Sequence, residues 1–251
     1  MHSPMNSFQT KEEEDLIILE NISKTFEDER ILKDICFKVK KGEFVSILGP
    51  SGCGKSTLFN MITGLLPPTG GKLTVKGDIG YMQQKDLLLP WKTILKNVVL
   101  PLDIRGADKK ASLEKARKYI DIMGLKGYED KFPYQLSGGM KQRASFLRTF
   151  LSSEEIMLLD EPFGALDSIT KGKMQKWLLE MKLALNNTIL FITHDIEEAI
   201  FLSDRIYVMS DRPGSIKEEI AVDFFKEDKS KRLLSQELLN IKEHILNITG
   251  N

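Results

Sequence analysis

Residues 49–57 read GPSGCGKST and follow directly on the aliphatic run Phe44-Val-Ser-Ile-Leu48. Nothing else in the chain constrains its fold as tightly. A strand-length run, a glycine-rich loop and then a helical pattern (Leu58, Met61, Ile62) make the strand–loop–helix unit that cradles phosphate. In such a loop Gly49, Ser51, Gly52, Cys53, Gly54 and Thr57 turn backbone N–H groups toward phosphate oxygens, Pro50 stiffens the turn, and the helix N-terminus adds a favourable dipole. Lys55 supplies a point charge for the outer phosphates, and the Ser56 hydroxyl suits Mg²⁺.

Two further runs share the pattern. Ile156-Met-Leu-Leu159 ends at Asp160-Glu161, and Ile189-Leu-Phe-Ile192 ends at Thr193-His194-Asp195. Runs this continuous cannot have one face in water, so they predict strands of a parallel sheet covered on both sides. Each delivers polar groups at its C-terminal end, where open α/β sheets bind ligands. Asp160 is the candidate Mg²⁺ ligand, Glu161 the candidate general base for an attacking water, and His194 a sensor of the terminal phosphate. Upstream, residues 16–41 alternate and predict a small antiparallel sheet, continued by 72–76 and 79–82. Residues 92–152 predict a helical insertion, and 228–248 an amphipathic helical stretch carrying Leu233, Leu234, Leu238, Ile241 and Ile245.

Bulk composition narrows the partners. Lys+Arg and Asp+Glu both number 36, and this zero balance counts against a nucleic-acid-coating protein. Two cysteines are no disulfide framework and fit a reducing compartment. No apolar run approaches the ~20 residues of a membrane span, and the polar N-terminus reads as a disordered tail over 1–15. Cys53, at a helix N-terminus inside the phosphate loop, stands where a thiol's pKa is lowered and would be reactive unless a bound phosphate ligand protects it; the alternative, which the loop position favours, is a small tolerated residue.

One stretch remains to be explained. Leu136-Ser-Gly-Gly-Met-Lys-Gln-Arg143 should begin a helix and yet carries two adjacent glycines, each costing on the order of 0.5–1 kcal/mol against alanine in a helix interior. With GPSGCGKST, LSGGMKQR, IMLLDEP, Ala165-Leu166-Asp167 and Thr193-His194 in this order, residues 16–220 resemble an ATP-binding-cassette (ABC) ATPase, specifically the energy-supplying subunit of an importer. The resemblance implies a P-loop NTPase fold: a RecA-like parallel core, a small antiparallel β-subdomain, a helical subdomain over about 85–152, and a C-terminal helical extension over 221–251. It also accounts for the glycines. Cassettes of this family pair head to tail, and Ser137, Gly138 and Gly139 of one copy would close on the ATP held by the other. Asp167 would reach across that contact. Gln84 falls at the family's switch glutamine, which would touch the metal or the water; Gln83 stands where the family usually has an aromatic, and of the two glutamines Gln84 is the one expected to serve. Phe26 falls where the family places an aromatic that stacks on adenine; the alternative is a core phenylalanine of the small sheet.

Leu88-Leu89-Pro90-Trp91, Glu161-Pro-Phe-Gly-Ala-Leu-Asp167 and Ser210-Asp-Arg-Pro-Gly214 are further similar to the nitrate/sulfonate/taurine importer group, which includes carriers of thiamine-precursor pyrimidines. What this implies is a peripheral ATPase on the cytoplasmic face of a membrane, bound to permease subunits and served indirectly by an extracytoplasmic solute-binding protein. The rival class is a soluble cassette acting on ribosomes or DNA. Only one cassette is present, and the stretch between Gln84 and Ser137 is too short for the long coiled coil of DNA-repair relatives.

Overall fold

The structure, a computed structural model, describes residues 14–153, 155–224 and 228–250. The tail expected over 1–15 lies outside the described residues as far as position 13, and Asp15 already opens the first strand. That strand, β1 (Asp15–Phe26), pairs antiparallel with β2 (Glu29–Lys40), Ile17 facing Val39 and Phe26 facing Glu29. On its other edge β1 takes β4 (Gly70–Val75), completing a three-stranded sheet. Alternation is the reason it forms: Ile17, Leu19, Ile22, Leu32, Ile35, Phe37 and Val39 turn inward and are buried.

β3 (Phe44–Leu48), the strand before the phosphate loop, lies at the centre of a second sheet with the order β5-β6-β7-β3-β8-β9. Its members are β5 (Ile79–Met82), β6 (Ile156–Asp160), β7 (Thr188–Thr193), β8 (Arg205–Met209) and β9 (Ile216–Ala221). Every pairing is parallel except β8 with β9. All residues of β3, β6 and β7 are buried, as their unbroken apolar runs require. The register sets Leu48 beside Thr193, and Asp160 beside Ile192, so the three strands end at one level.

Ile79–Met82 corrects the sequence reading. This strand belongs to the core sheet, parallel to Ile156–Leu159, and not to the antiparallel sheet. Four residues are too few to display either periodicity, and long-range pairing with β6 decides the matter.

The insertion contains α2 (Ile94–Ile104), α3 (Lys109–Ile122) and α4 (Gly138–Phe150). They pack through Leu95, Val98, Ala116, Ile120 and Phe146. α5 (Ser168–Leu185) adds Trp177, whose indole meets Phe146 and Phe150 edge-on. α1 (Lys55–Ile62) follows the phosphate loop, and α6 (Ile196–Leu202) follows β7.

At the C-terminus the single helical stretch expected over 228–248 is divided. A 3₁₀ turn covers Lys229–Leu234, and Ser235 then caps α7 (Gln236–Thr249) by accepting from Leu238 N at 3.2 Å. The break explains why Leu234 is exposed while Leu238 and Ile245 are buried. A fully buried arginine fastens the turn. Arg232 donates from Nη1 to the carbonyls of Ile200 (3.0 Å) and Ser203, from Nη2 to Val222 (3.0 Å) and from Nε to Phe224 (3.0 Å). Burial pushes its guanidinium down to about 10. Beside it Lys229 bonds Leu202 O and Asp204, both at 2.7 Å.

Candidate active site

The phosphate loop leaves β3 at Gly49 and enters α1 through Gly54, whose φ of +106° lies in the left-handed region that glycine tolerates. Lys55 is buried and folds back on its own loop, donating to Gly49 O and Pro50 O, each at 2.7 Å. Ser56, one residue on, lines the same cleft as the Asp160 carboxyl at the end of β6. Burial pushes the Asp160 carboxyl above the usual carboxylate range, and the charge of Glu161 adds to this; Ser56 and Lys55 oppose it without cancelling it.

Glu161 follows Asp160 with a left-handed backbone, φ +47°. Its two carboxylate oxygens are engaged separately. Gln84 donates from Nε2 to Oε2 at 3.1 Å, and His194 Nδ1 lies 3.2 Å from Oε1. Of the two adjacent glutamines, Gln84 is therefore the one brought to the strand ends. Ser51, Gly52, Gly54, Lys55, Ser56, Thr57, Gln84, Asp160 and Glu161 line a cleft of about 220 Å³, together with Arg212.

Two cations and two carboxylates face each other in this cleft. Such a lining suits a polyanion accompanied by a divalent ion better than either alone. The Ser56 hydroxyl, the Asp160 carboxylate and the Gln84 amide are hard oxygen donors of the kind Mg²⁺ takes. Among the described residues no three His, Cys, Asp or Glu side chains converge to hold a metal by themselves, so such an ion would rely on ligand phosphates and water for its remaining positions.

Other expected residues lie elsewhere. Phe26 is 45% exposed with Lys24 Nζ 4.9 Å from its ring centroid, so it is no core phenylalanine of the small sheet. Ser137 caps α4, accepting from Met140 N at 3.3 Å, and the cleft of the same chain includes neither it, Gly138, Gly139 nor Asp167. Asp167 caps α5, accepting from Ile169 N (3.1 Å) and Thr170 N (3.0 Å), bonds that hold its carboxyl below the usual range. Cys53 overturns its expectation. Its thiol is buried, and burial raises its pKa against the lowering by Lys55 and loop amides, so burial outweighs the effect expected of the helix N-terminus.

Two functional candidates escaped the sequence reading. Gln142 is buried, donates to Glu161 O at 3.3 Å and accepts from Ala165 N at 3.0 Å, tying α4 to the end of β6. Arg212 is the second cation of the cleft, reached from the loop after β8. Each lies in a segment already singled out, but nothing in the sequence says which neighbour its side chain meets.

Residues 32–164, which span the phosphate loop, Gln84, α4 and β6, match the family profile described as ABC transporter. The chain belongs to the ABC transporter family. This cassette is 43% identical over 236 residues to the formylaminopyrimidine import ATP-binding protein ThiZ of Halalkalibacterium halodurans, covering 92% of this chain and 95% of the relative. It is 42% identical over 200 residues to the nitrate import ATP-binding protein NrtD of Synechocystis sp., covering 76% and 75%. Among solved structures, a dimeric ATP-binding cassette in a post-hydrolysis state, bound to ADP and Pi, superposes with a TM-score of 0.75 at 31% identity, covering 83% of this chain and all of the other. Among the described residues of the cassette, no helix is long and apolar enough to cross a membrane.

Proposed function

We propose that this cassette hydrolyses ATP to ADP and phosphate and thereby energises uptake of a small solute through partner permease subunits. One observation carries the chemistry: Glu161 stands at the mouth of the phosphate-loop cleft with one carboxylate oxygen on Gln84 and the other beside His194. A carboxylate so held is oriented to accept a proton from a water attacking the terminal phosphate. Lys55 would exchange its two carbonyl partners for phosphate oxygens, and His194 would hydrogen-bond the terminal phosphate. Ser56, Asp160 and Gln84 would hold Mg²⁺, which when bound neutralises charge on the phosphates. Phe26, exposed at the end of β1, would stack on adenine.

Ser137 and the two glycines stand apart from this cleft, which supports their use by a second copy: the N-terminus of α4 is an anion site with no ligand of its own. Two copies placed head to tail would enclose two ATPs, with Asp167 near the contact. ATP-driven closure then shifts the permease between two states. The exposed Leu87 and Trp91, near Gln84, belong to the surface that would meet the permease. The cassette would work at the cytoplasmic face of the membrane, with a solute-binding protein acting on the other side. Its relatives serve formylaminopyrimidine and nitrate, and solutes so unlike each other fit an ATPase whose cargo pocket lies in other chains.

Purification of the tagged chain from gently solubilised host membranes tests this reading. A multi-span permease should co-purify, and the complex should release phosphate from ATP. Ribosomal proteins or DNA-repair factors in its place would overturn the transport assignment and leave the ATPase intact.

A further inference from the structure

The segment Ser210–Gly214, between β8 and β9, joins the β1–β2 hairpin to the phosphate loop, between which the described residues form no backbone hydrogen bond. Gly214 N donates to Ile31 O of β2 at 2.8 Å, and Lys33 N donates to Gly214 O at 2.9 Å. A Cβ on Gly214 would stand 2.2 Å from Cys53 O, so only glycine allows this loop to press against the phosphate loop. Arg212 completes the connection. Its Nε donates to Gly52 O at 3.2 Å, and its Nη1 pairs with Glu29. Glu29 faces Phe26 in the β1–β2 register, so this ion pair holds the hairpin end that carries the exposed aromatic ring.

We propose that Arg212 is a positioning residue that clasps the Phe26 hairpin to the phosphate loop and so sets affinity for the adenine half of ATP. This rests on the reading of Phe26 as the adenine platform. An aromatic ring can stack on a base only when its distance from the phosphate cradle matches the length of the nucleotide. The guanidinium fixes that distance by holding one partner on each element at once. Its fork geometry suits the task, whereas a lysine ammonium would engage one partner at the other's expense.

The experiment measures binding of ATP and of inorganic tripolyphosphate to the full chain by calorimetry, for wild type, F26A, R212A, R212K, E29Q and the double variant R212A/E29Q. Wild-type binding of ATP and a loss of about tenfold in F26A check the underlying reading independently. With the clasp, R212A and E29Q each weaken ATP about three- to tenfold, R212K does not restore it, and E29Q, which leaves both cations of the cleft in place, holds tripolyphosphate as tightly as wild type. The double variant is then no weaker than R212A, because both changes break one connection. Equal weakening of ATP and tripolyphosphate in E29Q would overturn the clasp in favour of a damaged loop, and unchanged ATP affinity in E29Q beside a weakened R212A would overturn it in favour of a direct phosphate contact by Arg212. Unchanged ATP affinity in R212A beside a weakened F26A overturns it outright. An unchanged F26A overturns the platform itself, whatever Arg212 does.

Discussion

Gly138→Ala should move stability and activity in opposite directions. Gly138 opens α4 without a positive φ, and a Cβ built there meets nothing within 4 Å. The fold of the single chain therefore has no use for the missing side chain. Alanine restricts the unfolded chain and favours the helix, a gain of about 0.4–1 kcal/mol. Gly139 differs, since its Cβ would lie 3.2 Å from Leu166 Cδ2 and 3.4 Å from Ala165 O. If the open face of Gly138 exists for close approach by a partner's nucleotide, a methyl group there intrudes on a packed contact at about 1–3 kcal/mol. That is a loss of about 5- to 150-fold in ATP-driven dimerisation. Urea unfolding would read the first quantity; sedimentation with ATP and steady-state phosphate release would read the second. A G138A chain of wild-type activity would refute the close-approach reasoning. One destabilised by more than about 1 kcal/mol would show that the chain itself needs the glycine.

Three further outcomes follow from the same structure. Glu161→Gln keeps the shape but removes the base, so ATP binding should persist while kcat falls about 10²- to 10⁴-fold in a phosphate-release assay; full turnover would refute the general-base role. Arg232→Met leaves the carbonyls of Ile200, Ser203, Val222 and Phe224 without their buried donor and should cost about 3–5 kcal/mol in urea unfolding, with faster amide exchange in α7. Unchanged stability and exchange would show that the arginine does not fasten the C-terminal segment. Asp204 is held below the usual carboxylate range: burial pushes it up, but Lys229 and Lys182 outweigh burial. Because its folded value is the depressed one, its stabilising contribution is present above about pH 4 and is lost as pH falls below that. In acid-unfolding curves Asp204→Asn should flatten this limb, and identical curves would exclude Asp204 as its source.

The strands that carry chemistry were legible because burial on both faces demands an unbroken apolar run, and β3, β6 and β7 each have one. Asp160, Glu161 and His194 stand at their ends for the same reason. Short β5 was misassigned because four residues display no period, and only its partner β6 fixes its sheet. Cys53 was misjudged because position at a helix N-terminus is visible in sequence while burial is not. Gln142 and Arg212 went unread for a related reason. Their importance comes from partners nineteen or more positions away, Glu161 for the first and Glu29 and Gly52 for the second.

The two carbonyl bonds of Lys55 give the phosphate loop a threshold. A ligand gains from the lysine only the difference between its own oxygens and those of Gly49 and Pro50, which are already in place. An anion that offers one weak acceptor gains nothing by that exchange. A chain of phosphates, which can satisfy the lysine and the loop amides together, gains on every contact. By occupying its own cation, the loop would discriminate against the small anions around it before the adenine half of the nucleotide is touched.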